Sequence, residues 1–215
     1  VTDLNNLATV YSYEGKYDEA EGLYKEALEM NERLLGPQHA DIAKSLNNLA
    51  TVYFRQNRYQ DAEPFLKRAI EIEEDAAYLN NLAAVYSYEA KYAEAEPLLL
   101  KVLEIDKNRL GENNADIAND LNNLAVLYSR MGRFSEAEGL FHSALAIDEK
   151  ALGVDHPEVM VDLNNLINFY ESQNKDYEMI IFSERLSELY KKKGMAEEAK
   201  ALEERVKKIR SGAKP

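Results

Sequence analysis

Apolar residues recur along this chain in steps of three and four, and one short version of the pattern returns five times. Leu-Asn-Asn-Leu-Ala occupies residues 4–8, 46–50, 79–83 and 121–125, and residues 163–167 keep its first four letters. A tyrosine follows seven residues after each first leucine: Tyr11, Tyr53, Tyr86, Tyr128 and Tyr170. At about 100° per residue, Leu4, Leu7, Ala8 and Tyr11 share one side of a helix. A polar bend comes next (Gly15-Lys16-Tyr17, Asn57-Arg58-Tyr59, Ala90-Lys91-Tyr92, Gly132-Arg133-Phe134), then Ala-Glu at Ala20, Ala62, Ala95 and Ala137. Ala20, Leu23, Tyr24, Ala27 and Leu28 make a second amphipathic stripe. Gly15 favours a tight reversal between the two. Each unit reads as two antiparallel helices, A then B.

Pro64 and Pro97 share one place in helix B, and Gly22 and Gly139 fill it in two other units. Proline is tolerated near a first turn, so helix B is expected to begin no earlier than about position 18. Small or ring-closed residues there also suggest a close pass of helix A. Leu35-Gly36, Leu110-Gly111 and Leu152-Gly153 put glycine just past the last apolar residue, as in a left-handed helix cap. Asp41, Asp116 and Glu158 open the next helix A, where acidic groups suit the helix dipole.

The intervals between first leucines are 42, 33, 42 and 42 residues. The short step, from Leu46 to Leu79, lacks the Leu-Gly connector. Either that connector is truly short or a loop goes unrecorded. Beyond Tyr170 the pattern loosens, yet Tyr190 to Ala199 echoes Tyr11 to Ala20. The helix ending near Tyr190 is therefore expected to serve both as the last helix B and as the front of a degenerate sixth unit. Ala199, Leu202, Val206 and Ile209 stripe a final helix rich in Glu, Lys and Arg, the composition of a solubilising cap on an open stack. The expected layout is a repeat array over 1–194, with units starting near 1, 40, 76, 115 and 157. A capping helix and tail fill 195–215, for about eleven helices in all.

These residues resemble the tetratricopeptide repeat (TPR), through Leu4, Leu7-Ala8, Tyr11, Ala20, Tyr24 and Ala27. The 42-residue spacing and the Leu-Gly-x-x-His connector are similar to the kinesin light chain subclass. The resemblance runs to about Tyr170 and more loosely beyond. It implies an all-α, right-handed superhelical solenoid of antiparallel helix pairs whose A helices line a concave groove. It is specific for the fold and says little about the biology, because such arrays serve many systems.

Opposite the core stripe of the first helix A lie Thr2, Asn6, Thr9, Ser12 and Tyr13, and the resemblance puts that polar face in the groove. Across the units it carries two asparagine ladders. One is Asn5, Asn47, Asn80, Asn122 and Asn164; the other is Asn6, Asn48, Asn81, Asn123 and Asn165. Beside them stand Arg55, Tyr88 and Arg130. An amide both donates and accepts, so spaced amides suit the N–H and C=O groups of an extended peptide. The arginines suit a carboxylate and the aromatics an anchor side chain. The other reading of either ladder is internal: its amides bond to a neighbouring helix and hold the stack together. Similar ladders meet peptide backbone in kinesin light chains and in the TPR superhelix of the glycosyltransferase that modifies Ser and Thr with N-acetylglucosamine. The TPR class that clamps chaperone tails wants Lys at Asn5 and Asn at Thr9, which argues against that ligand.

Charge narrows the partners. The net charge of −13 opposes nucleic acid and anionic membranes. No cysteine is present, which removes disulfides and thiolate chemistry but leaves the compartment open. No signal-peptide pattern or apolar span is visible, so a cytoplasmic location is expected. The chain opens on Val1, which reads as a processed end or a fragment boundary.

Catalytic candidates are thin. His39 and His156 sit alone at equivalent connector positions and suit capping better than zinc. His142-Ser143 lacks a partner acid. The Glu pairs Glu19 with Glu21 and Glu136 with Glu138 read as solvated faces. No catalytic residue, metal or cofactor is expected. The expected function is a non-catalytic scaffold that binds a protein or extended peptide. The alternative is a structural or self-associating spacer, or the sensor arm of a longer signalling or enzymatic chain.

Overall fold

The computed structural model describes residues 1–212. Among them are eleven α-helices and no strand: α1 (Thr2–Tyr13), α2 (Tyr17–Leu35), α3 (Ala40–Arg55), α4 (Tyr59–Ile72), α5 (Ala76–Tyr88), α6 (Tyr92–Leu110), α7 (Ala115–Arg130), α8 (Phe134–Leu152), α9 (Pro157–Ser172), α10 (Asp176–Lys192) and α11 (Ala196–Arg210). The odd-numbered helices up to α9 are the A helices. The chain forms two compact units, residues 1–105 and residues from 106 on, with the boundary inside α6. Of the tail expected within 195–215, residues 213–215 lie outside the described residues.

Every A-to-B bend has three residues, and α10 meets α11 in the same way. The middle residue is left-handed each time: Gly15, Asn57, Ala90, Gly132, Asn174 and Gly194. The third residue's N–H then returns to the carbonyl of the repeated tyrosine, from Lys16 to Tyr11 and from Lys91 to Tyr86 at 2.9 and 2.8 Å. This closes the helix end with its orphan carbonyl satisfied. The B-to-A connectors are equally regular. The Nδ1 atoms of His39 and His156 accept from the N–H groups of Asp41 and Glu158, and Asn114 Oδ1 accepts from Asp116. Each is an N-cap on the next helix A.

The 33-residue step is absorbed in three places. Helix α4 has 14 residues where α2, α6 and α8 have 19, the connector 73–75 is one residue shorter than the others, and α5 has 13 residues where α3 and α7 have 16. Asp75 replaces the usual cap and accepts from Ala77 N–H at 2.8 Å. Tyr78 fills the tightened junction, packed with Leu28, Ile42, Ala43, Leu46 and Ala69. Burial first, and then Glu73, Asp75 and Asp41, push its hydroxyl up to about 12.

The leucines of the repeated stretch form the core. Leu46, Leu49, Leu163 and Leu166 are fully buried, each worth about 1.5–3 kcal/mol in removed apolar surface. In α1 the equivalent Leu7 is 42% exposed, since no helix B packs in front of α1 here. In the second unit, Phe141 of α8 meets Phe169 of α9 at 5.5 Å, and Tyr170 stacks on Phe182 of α10 at 5.6 Å. Helix α11 buries Ala199 and Val206, with Leu202 and Ile209 half-buried.

Two expectations need correction. Helix B begins at Tyr17, Tyr59, Tyr92 and Phe134, within one residue of the expected start, but Pro64 and Pro97 stand in its second turn and not its first. Both rings face solvent, where the carbonyl that loses its partner can be hydrated. Nor does helix A pass close by: a Cβ added at Gly22 or Gly139 meets nothing within 4 Å.

Opposite substitutions are therefore expected to stabilise the chain. Ala90 carries a φ of 58°, so Ala90→Gly relieves strain and should add about 1 kcal/mol. Gly22→Ala and Gly139→Ala lie in open helix interiors and should each add about 0.5–1 kcal/mol. Urea unfolding of the whole chain checks all three; a destabilised Ala90 variant would contradict the strain.

Candidate protein-binding face

Within each unit, consecutive helix pairs are fastened by one recurring group. Tyr53 donates its hydroxyl to Glu21 Oε1 at 2.9 Å, while Arg58 from the next bend reaches Glu21 Oε2 at 2.9 Å and lies 4.3 Å over the Tyr53 ring. Tyr86, Glu63 and Lys91 repeat it at 3.2, 3.0 and 5.4 Å. Tyr170, Glu138 and Lys175 repeat it again at 2.9, 2.9 and 5.4 Å. Here His142 also bonds to the Tyr170 hydroxyl at 2.8 Å, which removes it from any pairing with Ser143, whose hydroxyl donates to the Gly139 carbonyl. The expected solvated Glu pairs are thus split: Glu19 and Glu136 are exposed, but Glu21 and Glu138 are half-buried acceptors. Sequence spacing held the signal, since the glutamate follows the repeated alanine at a fixed distance from the tyrosine.

The ladders separate as well. Asn47 Oδ1 accepts from Asn81 Nδ2 at 2.7 Å, a rung between α3 and α5. Asn122 is buried and donates to Asp162 Oδ1 at 2.6 Å, between α7 and α9. Asn164 donates to the Met160 carbonyl at 3.1 Å and to the Tyr190 hydroxyl at 3.3 Å. Asn5 keeps a buried Oδ1 with no partner among the described residues, and Asn80 is half-buried. The neighbouring ladder lies nearer the surface. On α3 it joins exposed Lys44 and Arg55 through half-buried Asn48 and Thr51; on α5 it joins Ala77, Asn81, Ala84 and exposed Tyr88. On α7, Asn119, Asn123, Val126 and Arg130 are all exposed. Arg55 lies 5.0 Å over the Tyr13 ring, and Tyr88 stacks on Tyr59 at 5.3 Å with Phe54 edge-on to both. Ala50, Thr51, Phe54, Leu66, Asn81, Ala84 and Val85 line a small cavity of about 40 Å³ beneath this face.

Among the described residues no three His, Asp or Glu side chains converge to hold a metal, and no helix is long and apolar enough to cross a membrane. Four buried aspartates of the second unit, Asp106, Asp120, Asp148 and Asp162, were not singled out by the sequence pattern. Burial, then the neighbouring Asp106, raises Asp120 to about 7; burial also raises Asp162 to about 7, against the hydrogen bond from Asn122 and with Asp148 adding to the rise.

The model of the tetratricopeptide repeat family matches residues 2–75, 74–150 and 121–178. The chain is a TPR protein. Solved TPR-type structures resemble it along nearly its whole length. A candidate kinesin light chain of Podosopora anserina with nearly identical TPR-like repeats aligns with a TM-score of 0.77 at 23% identity, covering 89% of this chain and 95% of that one. BtubC (BKLC) from P. vanneervenii gives 0.67 at 20% identity, covering 91% of each. MamA gives 0.61 at 17% identity, covering 90% and 93%. At these identities the likeness establishes the fold: an all-α solenoid repeat of helix pairs. No curated protein matches the chain. TPR proteins typically act as non-catalytic scaffolds that bind other proteins.

Two outcomes test how this TPR stack is fastened. Hydrogen bonds from Lys67, then Lys91, hold the Glu63 carboxyl at about 2 in spite of its burial. A depressed carboxyl contributes stability above its unfolded value of about 4.5 and loses it as pH falls towards 2. Thermal melts of wild type should fall steeply across that window, and Glu63→Gln should flatten the fall while lowering stability at neutral pH. Asn122→Ala should cost about 1–3 kcal/mol by stranding buried Asp162, read by urea unfolding.

Proposed function

We propose that this TPR protein is a non-catalytic scaffold and that the outward asparagine face of its A helices holds an extended peptide of a protein partner. One observation carries the reading. Asn47 is committed to Asn81, whereas its neighbour Asn48 is half-buried with no hydrogen-bond partner among the described residues. An amide in that position is partly dehydrated and unsatisfied, so a peptide N–H or C=O that reaches it gains a hydrogen bond at a reduced desolvation cost. Within the first unit, Asn48 shares a face of α3 with the cation Arg55 two turns further on, and the aromatic group of Phe54, Tyr59 and Tyr88 stands at that same end of α3. In the second unit, Asn123 and Arg130 place an amide and a cation on the exposed side of α7. Backbone pairing by amides supplies affinity that tolerates many sequences, and the arginine and aromatic groups supply choice. The cations stand on a chain of net charge −13, which favours a ligand whose acidic groups are few and local.

The ladder members already engaged inside the stack, Asn47, Asn81, Asn122 and Asn164, then act on binding through the frame that holds Asn48 and Asn123. A display library of random peptides panned against the full chain tests the reading. Enriched peptides should bind wild type and bind Asn48→Ala with Arg55→Ala at least about tenfold more weakly, by calorimetry, at unchanged melting temperature. Equal affinity for the variant rejects the face. No enrichment, together with concentration-dependent dimers in light scattering, favours a self-associating spacer instead.

A further inference from the structure

At the three four-residue connectors, where a helix B passes into the next helix A, two side chains meet inside the stack. One lies eleven residues past the repeated alanine and the other just before Leu-Asn-Asn-Leu. In the first unit the pair is Asn31 and Ser45, both buried and neutral, with the amide donating to the hydroxyl at 3.4 Å. In the second unit the pair is two aspartates each time: Asp106 with Asp120, and Asp148 with Asp162. All four are more than nine-tenths buried, and in each pair the carboxyls lie within hydrogen-bonding reach of each other. Two carboxylates in such contact cannot both stay ionised without a cation, because desolvation and repulsion act together. A single proton between them turns the repulsion into an O–H···O bond. It also supplies what the buried oxygens Asp120 Oδ2, Asp148 Oδ1 and Asp162 Oδ2 otherwise lack, a hydrogen-bond partner.

We propose that these two aspartate pairs are proton-operated latches: each holds its B-to-A junction closed while one proton bridges its carboxyls, and loosens it when that proton leaves. The surrounding charges set the terms. Around the first pair, Arg109 bonds to Asp106 at 2.8 Å, while Asp116 on α7 adds negative charge. Around the second, Asn122 on α7 donates to Asp162, Glu158 on α9 and Asp116 on α7 add negative charge, and His156 in the connector opposes them. From α10, Arg185 reaches Glu149, the residue after Asp148. The proton needed is thus held without a full counter-charge in the second pair and with one on its edge in the first.

A carboxyl raised from about 3.9 in the unfolded chain towards 7 in the fold binds its proton more tightly when folded. The stability it contributes is complete below about pH 4 and is lost as pH rises through about 7. Asn31 and Ser45 show the neutral form of the same junction, so the first unit is an internal control.

Hydrogen exchange of the full chain at about pH 5.5 and about pH 8.5, corrected for intrinsic rates, reads the latch. Protection of amides flanking Asp120, Asp148 and Asp162 is expected to fall at least about tenfold at the higher pH, and that around Asn31 and Ser45 by less than about twofold. The double variant Asp120→Asn, Asp162→Asn puts an amide N–H where the shared proton stood and should stay protected at both. In wild type, an infrared carbonyl band of un-ionised carboxylic acid should be present at the lower pH and vanish at the higher, a readout that needs no variant. Equal protection at both pH values, or absence of the acid band, overturns the proposal. So does stoichiometric calcium uptake that restores protection at high pH, since the oxygens would then belong to a cation.

Discussion

A buried tyrosine hydroxyl must find an acceptor, and in this chain that need joins one helix pair to the next. The tyrosine's ring fills the A helix core, its carbonyl closes the bend, and its hydroxyl takes the glutamate of the preceding helix B. The basic residue of the bend then covers both ring and carboxylate. One side chain thereby ties three local decisions together: where helix A ends, how the chain reverses, and which face of the earlier pair it meets. The glutamate tolerates burial only because a hydroxyl and two cations satisfy it. Leucine burial drives association, but it is indifferent to small rotations; the directional bonds select one.

The same logic explains how much of the fold was legible. Leu46, Leu49, Ala50 and Tyr53 share a helix face whatever the tertiary context, so the helix pairs, the bends and the capping role of His39 and His156 follow from spacing. The roles of Gly22 and Pro64 did not. A small residue reads alike whether it admits a neighbour or merely faces water, and only the position of that neighbour decides. The glutamates were misread for a related reason: Glu19 and Glu21 differ by two letters but by about 200° around a helix, and which of them meets a partner depends on the next pair.

The candidate face was legible as a composition and not as an assignment. Leu-Asn-Asn-Leu places two amides side by side between two buried leucines. A helical wheel puts them about 100° apart, too close to say which is turned inward. The stack resolves it by using Asn47 and Asn122 as rungs between consecutive A helices. Asp162 illustrates the limit from the other side. It looks like an ordinary surface acid beside a leucine, yet lies buried because helix α7 covers it with Asn122.

The uniform bends have a consequence at the level of the gene. Every reversal spends three residues with a left-handed centre, and every full-length connector spends four and ends in a cap. An out-of-step crossover between two 42-residue repeats therefore rejoins the same bend to the same helix on either side. It adds or deletes one whole helix pair, and each new junction inherits a tyrosine and a glutamate already in register. An array built on such joints can change its number of pairs in a single genetic event, without a period of misfit in between.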